Sequence, residues 1–225
     1  MGKALSPNLR WLLALLFASM VPTGAFASSP APGIGKIVVK ADPVYILRNG
    51  KTLKLGVPSI NLRHGDEAIT GSTGKALILL KNADAVSLSP SSRLKLTQQT
   101  VPGVSVKISR FILKLFGKLR ARVRKSEETS VEVHTPTSVI GVKGTDFIVE
   151  FLKGNTRVGT LEGLVRLQSS ITKGSIDIPP GKMGSVSPAG EVLPLSEFAG
   201  ELMRDVDFIG EKMDDSDHSG SKVEM

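Results

Sequence analysis

The chain has 225 residues, a formal net charge of +8, 40% hydrophobic residues and no cysteine. Such a length and apolar content allow one domain with a buried core and exclude a chain disordered throughout. The missing thiol excludes a disulfide framework, a cysteine zinc site, a thiol nucleophile and a lipidated-cysteine anchor.

The first 27 residues read as a secretory signal. Lys3 and Arg10 form a positive region, Trp11 to Val21 is an apolar run of 11 residues, and Ala25-Phe26-Ala27 is an A-x-A cleavage site. A spanning helix needs about 20 apolar residues, and Pro22-Thr23-Gly24 ends this run early. The pattern predicts cleavage near Ala27 and a periplasmic or secreted mature chain, soluble or peripheral to a membrane. Charge divides unevenly after that point. Residues 191–225 hold ten acidic and three basic residues, a net of −7, which leaves +13 on residues 28–190. A basic body with an acidic end implies anionic partners, or an end that folds back on the body.

Residues 28–35 (SSPAPGIG) are a Pro/Gly/Ser linker, and a β domain is expected over 36–190. Ile37-Val38-Val39 is β-branched. Val44 to Arg48 and Thr52 to Leu55 flank Asn49-Gly50, the pair that tolerates the positive φ angles of a type I′ hairpin turn. Strands follow over 67–70, 75–80, 85–88 and 93–97, separated by Gly71-Ser72-Thr73-Gly74 and Asn82-Ala83-Asp84. Residues 107–125 carry eight basic residues and no acid. As a helix this stretch would be a basic membrane-surface segment. As a strand, Leu119, Ala121 and Val123 alternate with Lys118, Arg120, Arg122 and Arg124, and Gly117 opposes a continuous helix, which favours a strand over 118–125. Short runs at 130–134, 146–152, 156–161, 164–168, 175–178 and 184–186 continue the pattern. The absence of crossover helices excludes a parallel α/β fold and predicts an all-β class of short antiparallel strands, solenoid-like or sandwich-like. At the end, Leu195, Phe198, Leu202, Val206, Ile209 and Met213 recur at spacings of three and four, which predicts one amphipathic C-terminal helix over 191–213 that caps the β body. Residues 214–225 are polar, and disorder is expected there.

One ordered set of motifs stands out. Gly65-Asp66-Glu67-Ala68-Ile69-Thr70-Gly71-Ser72-Thr73-Gly74-Lys75-Ala76 precedes VHTPTSVIGVKGTDF at 133–147. Thr160-Leu161-Glu162-Gly163-Leu164-Val165 and Pro180-Gly181-Lys182 follow. The residues make physical sense alone. Gly141 and Gly144 allow a kink or bulge, Pro136 fixes a turn, Thr145 and Asp146 can bond nearby backbone, and Phe147 is an apolar anchor. Together the set resembles the FecR domain of bacterial envelope proteins, with Lys143 where Arg is commoner and Lys182 where Gln is commoner, over residues 60–187. The motif residues Thr135, Pro136, Gly141, Val142, Lys143, Gly144, Thr145, Asp146, Phe147, Glu162 and Gly163 are then expected to be structural. The resemblance implies a β-rich, solenoid-like periplasmic domain. The best-known members relay a signal from an outer-membrane siderophore receptor to a cytoplasmic sigma factor, through an anti-sigma region and a membrane span ahead of the domain. Only ten residues precede the apolar run here, so the expectation is a stand-alone exported module without the anti-sigma role.

Chemistry is sparse. His64, His134 and His218 have no partners at metal-ligand spacing. Ser72 to Lys75 and Ser170 to Lys173 match S-x-x-K, but both hits sit in turns, and that chemistry needs a helix to set lysine beside serine. No catalytic residue, cofactor or metal is expected. Nucleic acid is excluded as a partner by export and by the scarcity of aromatics in the basic run. The expected function is binding of an envelope protein or glycan. The alternatives are a signalling component or an anionic-membrane contact through 107–125, with Lys118, Arg120, Arg122, Arg124 and Lys125 as the patch.

Overall fold

The computed structural model describes residues 33–82, 84–101 and 108–209. The chain divides into Met1–Ala31 and Pro32–Met225, and every described residue lies in the second unit. The expected signal segment (1–27) and polar tail (214–225) fall outside the described residues.

The described residues form seventeen strands. In chain order they are β1 (Gly35–Ala41), β2 (Val44–Arg48), β3 (Lys51–Lys54), β4 (Ser59–Leu62), β5 (Glu67–Thr70), β6 (Lys75–Leu80), β7 (Ala85–Leu88), β8 (Arg93–Val101) and β9 (Ile108–Val123). After them come β10 (Thr129–His134), β11 (Ser138–Val142), β12 (Thr145–Leu152), β13 (Asn155–Glu162), β14 (Val165–Ser169), β15 (Ser175–Ile178), β16 (Lys182–Val186) and β17 (Val192–Glu197). The all-β expectation holds. Asn49 (φ 50°) and Gly50 (φ 74°) make the β2–β3 turn where Asn-Gly predicts it.

Two facing layers share one strand. Sheet I runs β4–β1–β6–β7–β9–β12–β13–β16–β17. Sheet II runs β3–β2–β5–β8–β9–β10–β11–β14–β15. Every pairing is antiparallel except β9 with β10, which is parallel. Through residue 116, β9 pairs with β8 in sheet II, and from Gly117 onward it pairs with β12 in sheet I. The strand expected over 118–125 is the second half of a longer one, which bends at Gly117 and stays continuous from Ile108 to Val123. Gly117 has φ +100°, a conformation open to glycine and strained for other residues. Alternating side chains from both layers meet in one core. Ile78, Leu88, Leu119 and Phe147 of sheet I and Ile46, Leu94, Leu113 and Ile140 of sheet II are all fully buried in it.

Over the described residues 191–209, the expected C-terminal helix (191–213) is not there. Residues 192–197 form β17 on the edge of sheet I, and Gly200–Met203 makes a single 3-10 turn. From Phe198 to Phe208 the chain instead crosses the outer face of sheet I as a strap. Leu202 and Val206 pack on Ile148, with Leu161, Met183, Phe198 and Met203 around them. The apolar spacing therefore reports one buried side of a segment and not a helical stripe. Charge explains the choice. Glu201 pairs with Arg157 on β13 and Asp205 with Lys75 on β6. These strands lie four ladder steps apart, roughly 19 Å at the usual spacing, while four helical residues advance only about 6 Å. Asp205, at φ +67°, also breaks any helix. Of the other expected helix positions, Leu195 is an exposed residue of β17, Ile209 is half-buried and Met213 lies outside the described residues. Among the described residues no helix is long and apolar enough to cross a membrane.

Candidate functional site

The conspicuous sequence motif builds a corner. Thr135-Pro136-Thr137-Ser138 turns β10 into β11: the Thr135 N–H donates to the Ser138 carbonyl at 2.9 Å, and the hydroxyls of Thr135 and Thr137 each share a hydrogen bond with Thr156, at 2.7 and 2.8 Å. Pro136 is exposed on this turn. Val142 to Thr145 then carries the chain from sheet II to sheet I. Gly144 takes φ +67°, and a Cβ on Gly163 would lie 2.5 Å from the Gly144 carbonyl oxygen, so the two strand crossings touch backbone to backbone. Gly141, by contrast, sits in open space with no left-handed φ. The β12–β13 ladder carries its bulge between Asp146 and Phe147, and Phe147 is fully buried. Lys143 and Glu162 are exposed, and Lys143 donates to Glu127 at 2.9 Å, which holds the Glu127 carboxyl below its usual range.

Two motif side chains differ from expectation. Thr145 and Asp146 do not bond backbone. The Thr145 hydroxyl is buried without a hydrogen-bond partner, and Asp146 faces outward on sheet I, where it accepts from two arginines. The Arg120 guanidinium grips it in a fork, Nε to Oδ1 at 2.9 Å and Nη2 to Oδ2 at 3.0 Å, and Arg122 Nε donates to Oδ2 at 3.0 Å. Such bidentate pairing is a strong, oriented contact. It raises the Arg120 pKa above its already high value, against the opposing effect of burial.

The anionic-partner patch is thus largely matched within the molecule. Arg120 also donates to Asp207 of the strap at 2.5 Å. Lys118 lies 3.4 Å from Glu150 and donates to the Arg204 carbonyl at 3.3 Å. Arg124 and Lys125 remain exposed at the end of β9. Leu119, Ala121 and Val123 point into the core, as their alternation predicts.

A second feature lies where β9 bends. An open groove of about 640 Å³ is lined by Ile69, Phe116, Phe151 and Leu152, with Arg93 and Lys153 among its residues. Phe116 and Leu152 are 52% and 57% exposed, and the Phe116 and Phe151 rings meet edge to face at 5.7 Å. Sequence reasoning passed over this groove, although register could have found it. In β9 the odd positions Phe111, Leu113 and Leu115 face the core, so Phe116 takes the outward register, where a polar residue is usual.

Among the described residues the side chains singled out in the sequence do not come together as a catalytic set. Lys173 Nζ donates to the backbone carbonyl of Ser170 at 2.9 Å, not to its hydroxyl, and Lys75 pairs with Asp205. His64 Nδ1 accepts from the Gln98 N–H at 3.2 Å and His134 pairs with Glu132 at 3.0 Å. Among the described residues no three His, Asp or Glu side chains cluster as metal ligands.

Residues 66–166 match the family model described as FecR protein. Two solved structures of a Parabacteroides distasonis protein, provisionally assigned as an anti-sigma factor and determined at 1.65 and 2.50 Å resolution, are similar to this chain. In both, identity is 16% and the TM-score 0.48, over 58% of this chain and 59% of that one. The chain therefore spans about three fifths of that protein's length. No curated protein matches it.

Proposed function

We propose, on the premise that this chain carries a FecR domain over residues 66–166, that it is a binding module of the bacterial cell envelope. It would act in signal transduction by holding a protein partner and perform no chemistry of its own. The signal-like first 27 residues support export, with a periplasmic mature chain beginning near Ser28. The observation that carries the binding role is the groove at the β9 bend. The FecR motif residues serve the corner, while Phe116 and Leu152 hold large apolar surfaces in water. Exposed apolar side chains grouped in a concave site mark contact surfaces. Lys153 at the rim favours an apolar partner side chain flanked by a carboxylate. The membrane reading gains less support, because Lys118, Arg120 and Arg122 already face Glu150 and Asp146.

Site-specific photo-cross-linking in intact cells tests this. A cross-linker at Leu152 should give one adduct of defined mass, and the same cross-linker at the exposed Gln168 of sheet II should not. Phe116→Asp should weaken capture roughly tenfold or more, as loss of an aromatic anchor does. Identical adduct patterns from 152 and 168, or a glycan in place of a protein at 152, would remove this reading. The mass of the periplasmic species checks the location independently.

A further inference from the structure

The strap is held more like a bound peptide than like part of the sheet. It adds no strand to either ladder. Its main-chain links to the body are the Phe198 N–H to the Gly181 carbonyl at 2.9 Å, and the Val206 and Arg204 carbonyls, which accept from the Ser87 hydroxyl at 2.7 Å and from Lys118 Nζ at 3.3 Å. Side chains seated in sockets do the rest. Gly159 leaves the central socket open: a Cβ there would overlap the Phe198 ring and stand 3.3 Å from Leu202. Leu202 and Val206 close over Ile148 in a small cluster separate from the main core.

Charges complete the fit. Three acids of the strap, Glu201, Asp205 and Asp207, pair with Arg157, Lys75 and Arg120, which come from three different strands. The acids are 59%, 42% and 66% exposed, so water and salt reach their side of each pair. Two of the three cations keep an acid of the face itself without the strap. Arg120 keeps Asp146, and Arg157 keeps Glu150.

We propose that this face of sheet I is a peptide-docking groove for an acidic, apolar-anchored segment of a partner protein, and that residues 198–208 fill it in cis as a displaceable occupant. The partner segment would place an aromatic or aliphatic side chain over Gly159 and carboxylates against Arg157 and Arg120. The cis occupant lowers the partner's apparent affinity by the fraction of molecules in which the groove is closed. This surface is distinct from the groove at the β9 bend.

The test uses the full mature chain and a fluorescent synthetic peptide of residues 196–209. In Leu202→Asp/Val206→Asp protein the cis strap is released, and the peptide should bind at least tenfold tighter than to the unaltered chain. Adding Gly159→Val fills the socket from the outer face and should abolish that binding. A scrambled peptide of the same composition should bind at least tenfold more weakly. Asp205→Ala/Asp207→Ala gives a milder release and should show the same rise at smaller amplitude. Equal binding to released and unaltered chains, or equal binding of the scrambled peptide, would overturn the inference. So would loss of the sheet's circular dichroism in both released variants, which would make the strap part of the fold. A dimer that forms by exchange of intact straps would assign the groove to a second copy and overturn the choice of partner.

Discussion

Asp84 shows how a single carboxylate is held at a cost. It is buried at the β6–β7 turn, where it accepts the Arg124 N–H at 2.8 Å and the Asn82 amide at 2.5 Å. Burial raises its pKa above the usual carboxylate value, and these bonds with the Arg124 charge only partly offset that rise. A group whose folded pKa lies above its unfolded value contributes stability that is full below the unfolded pKa and is lost as pH rises through the folded one. Asp84→Asn keeps an oxygen for the Arg124 N–H and does not titrate. The unaltered protein should therefore lose stability relative to Asp84→Asn as pH rises from about 3 toward 7. Urea midpoints of both proteins across that range provide the check, and a constant difference would contradict the argument. At this scale the sequence was informative where one residue type meets one backbone need, as at Asn49-Gly50. It was silent where the partner is distant. Nothing near Asp146 in sequence says that Arg120 and Arg122 will claim it in place of backbone.

Among the elements, β9 decides the architecture because it belongs to both layers. The bend needs glycine twice over. At φ +100° a side chain is strained, and a Cβ at 117 would stand 2.8 Å from Ser92 Cα. Ser92 cannot yield freely, since its N–H donates to Thr70 Oγ1 at 2.9 Å and its hydroxyl accepts the Lys118 N–H at 3.0 Å. Gly117→Ala should cost about 2 to 4 kcal/mol, from backbone strain and overpacking together. Chemical denaturation measures it, and a change under about 0.5 kcal/mol, the range of ordinary surface substitutions, would mean that the bend tolerates a side chain. The strands were legible because alternation at 118–124 and turn residues elsewhere are local signals. The strap was not, because its apolar spacing also fits a helix. Only the positions of Arg157, Lys75 and Arg120 on separate strands show that the segment crosses the sheet as a series of turns and not as a regular helix.

Across the whole molecule, charge and core act on different surfaces. The acids of the strap meet basic residues on the outer face of sheet I, while the main core lies between the layers and draws on both halves of β9. Leu113 fills it from the sheet II half and Leu119 from the sheet I half, each fully buried. A layer that detached would expose the other layer's apolar face and strip β9 of half its pairing, so neither sheet has a stable state alone. The two-layer body should then unfold in one transition followed alike by every probe. Leu113→Ala and Leu119→Ala should each destabilise that same transition by about 2 to 5 kcal/mol, the range for a buried leucine. Differential scanning calorimetry with matched calorimetric and van't Hoff enthalpies is the measurement. Two resolved transitions, one moved by Leu113→Ala and the other by Leu119→Ala, would show that the sheets are separate cooperative units joined by a strand. The shared strand would then be a tether, and the two surfaces of sheet I and the β9 bend could respond to partners independently.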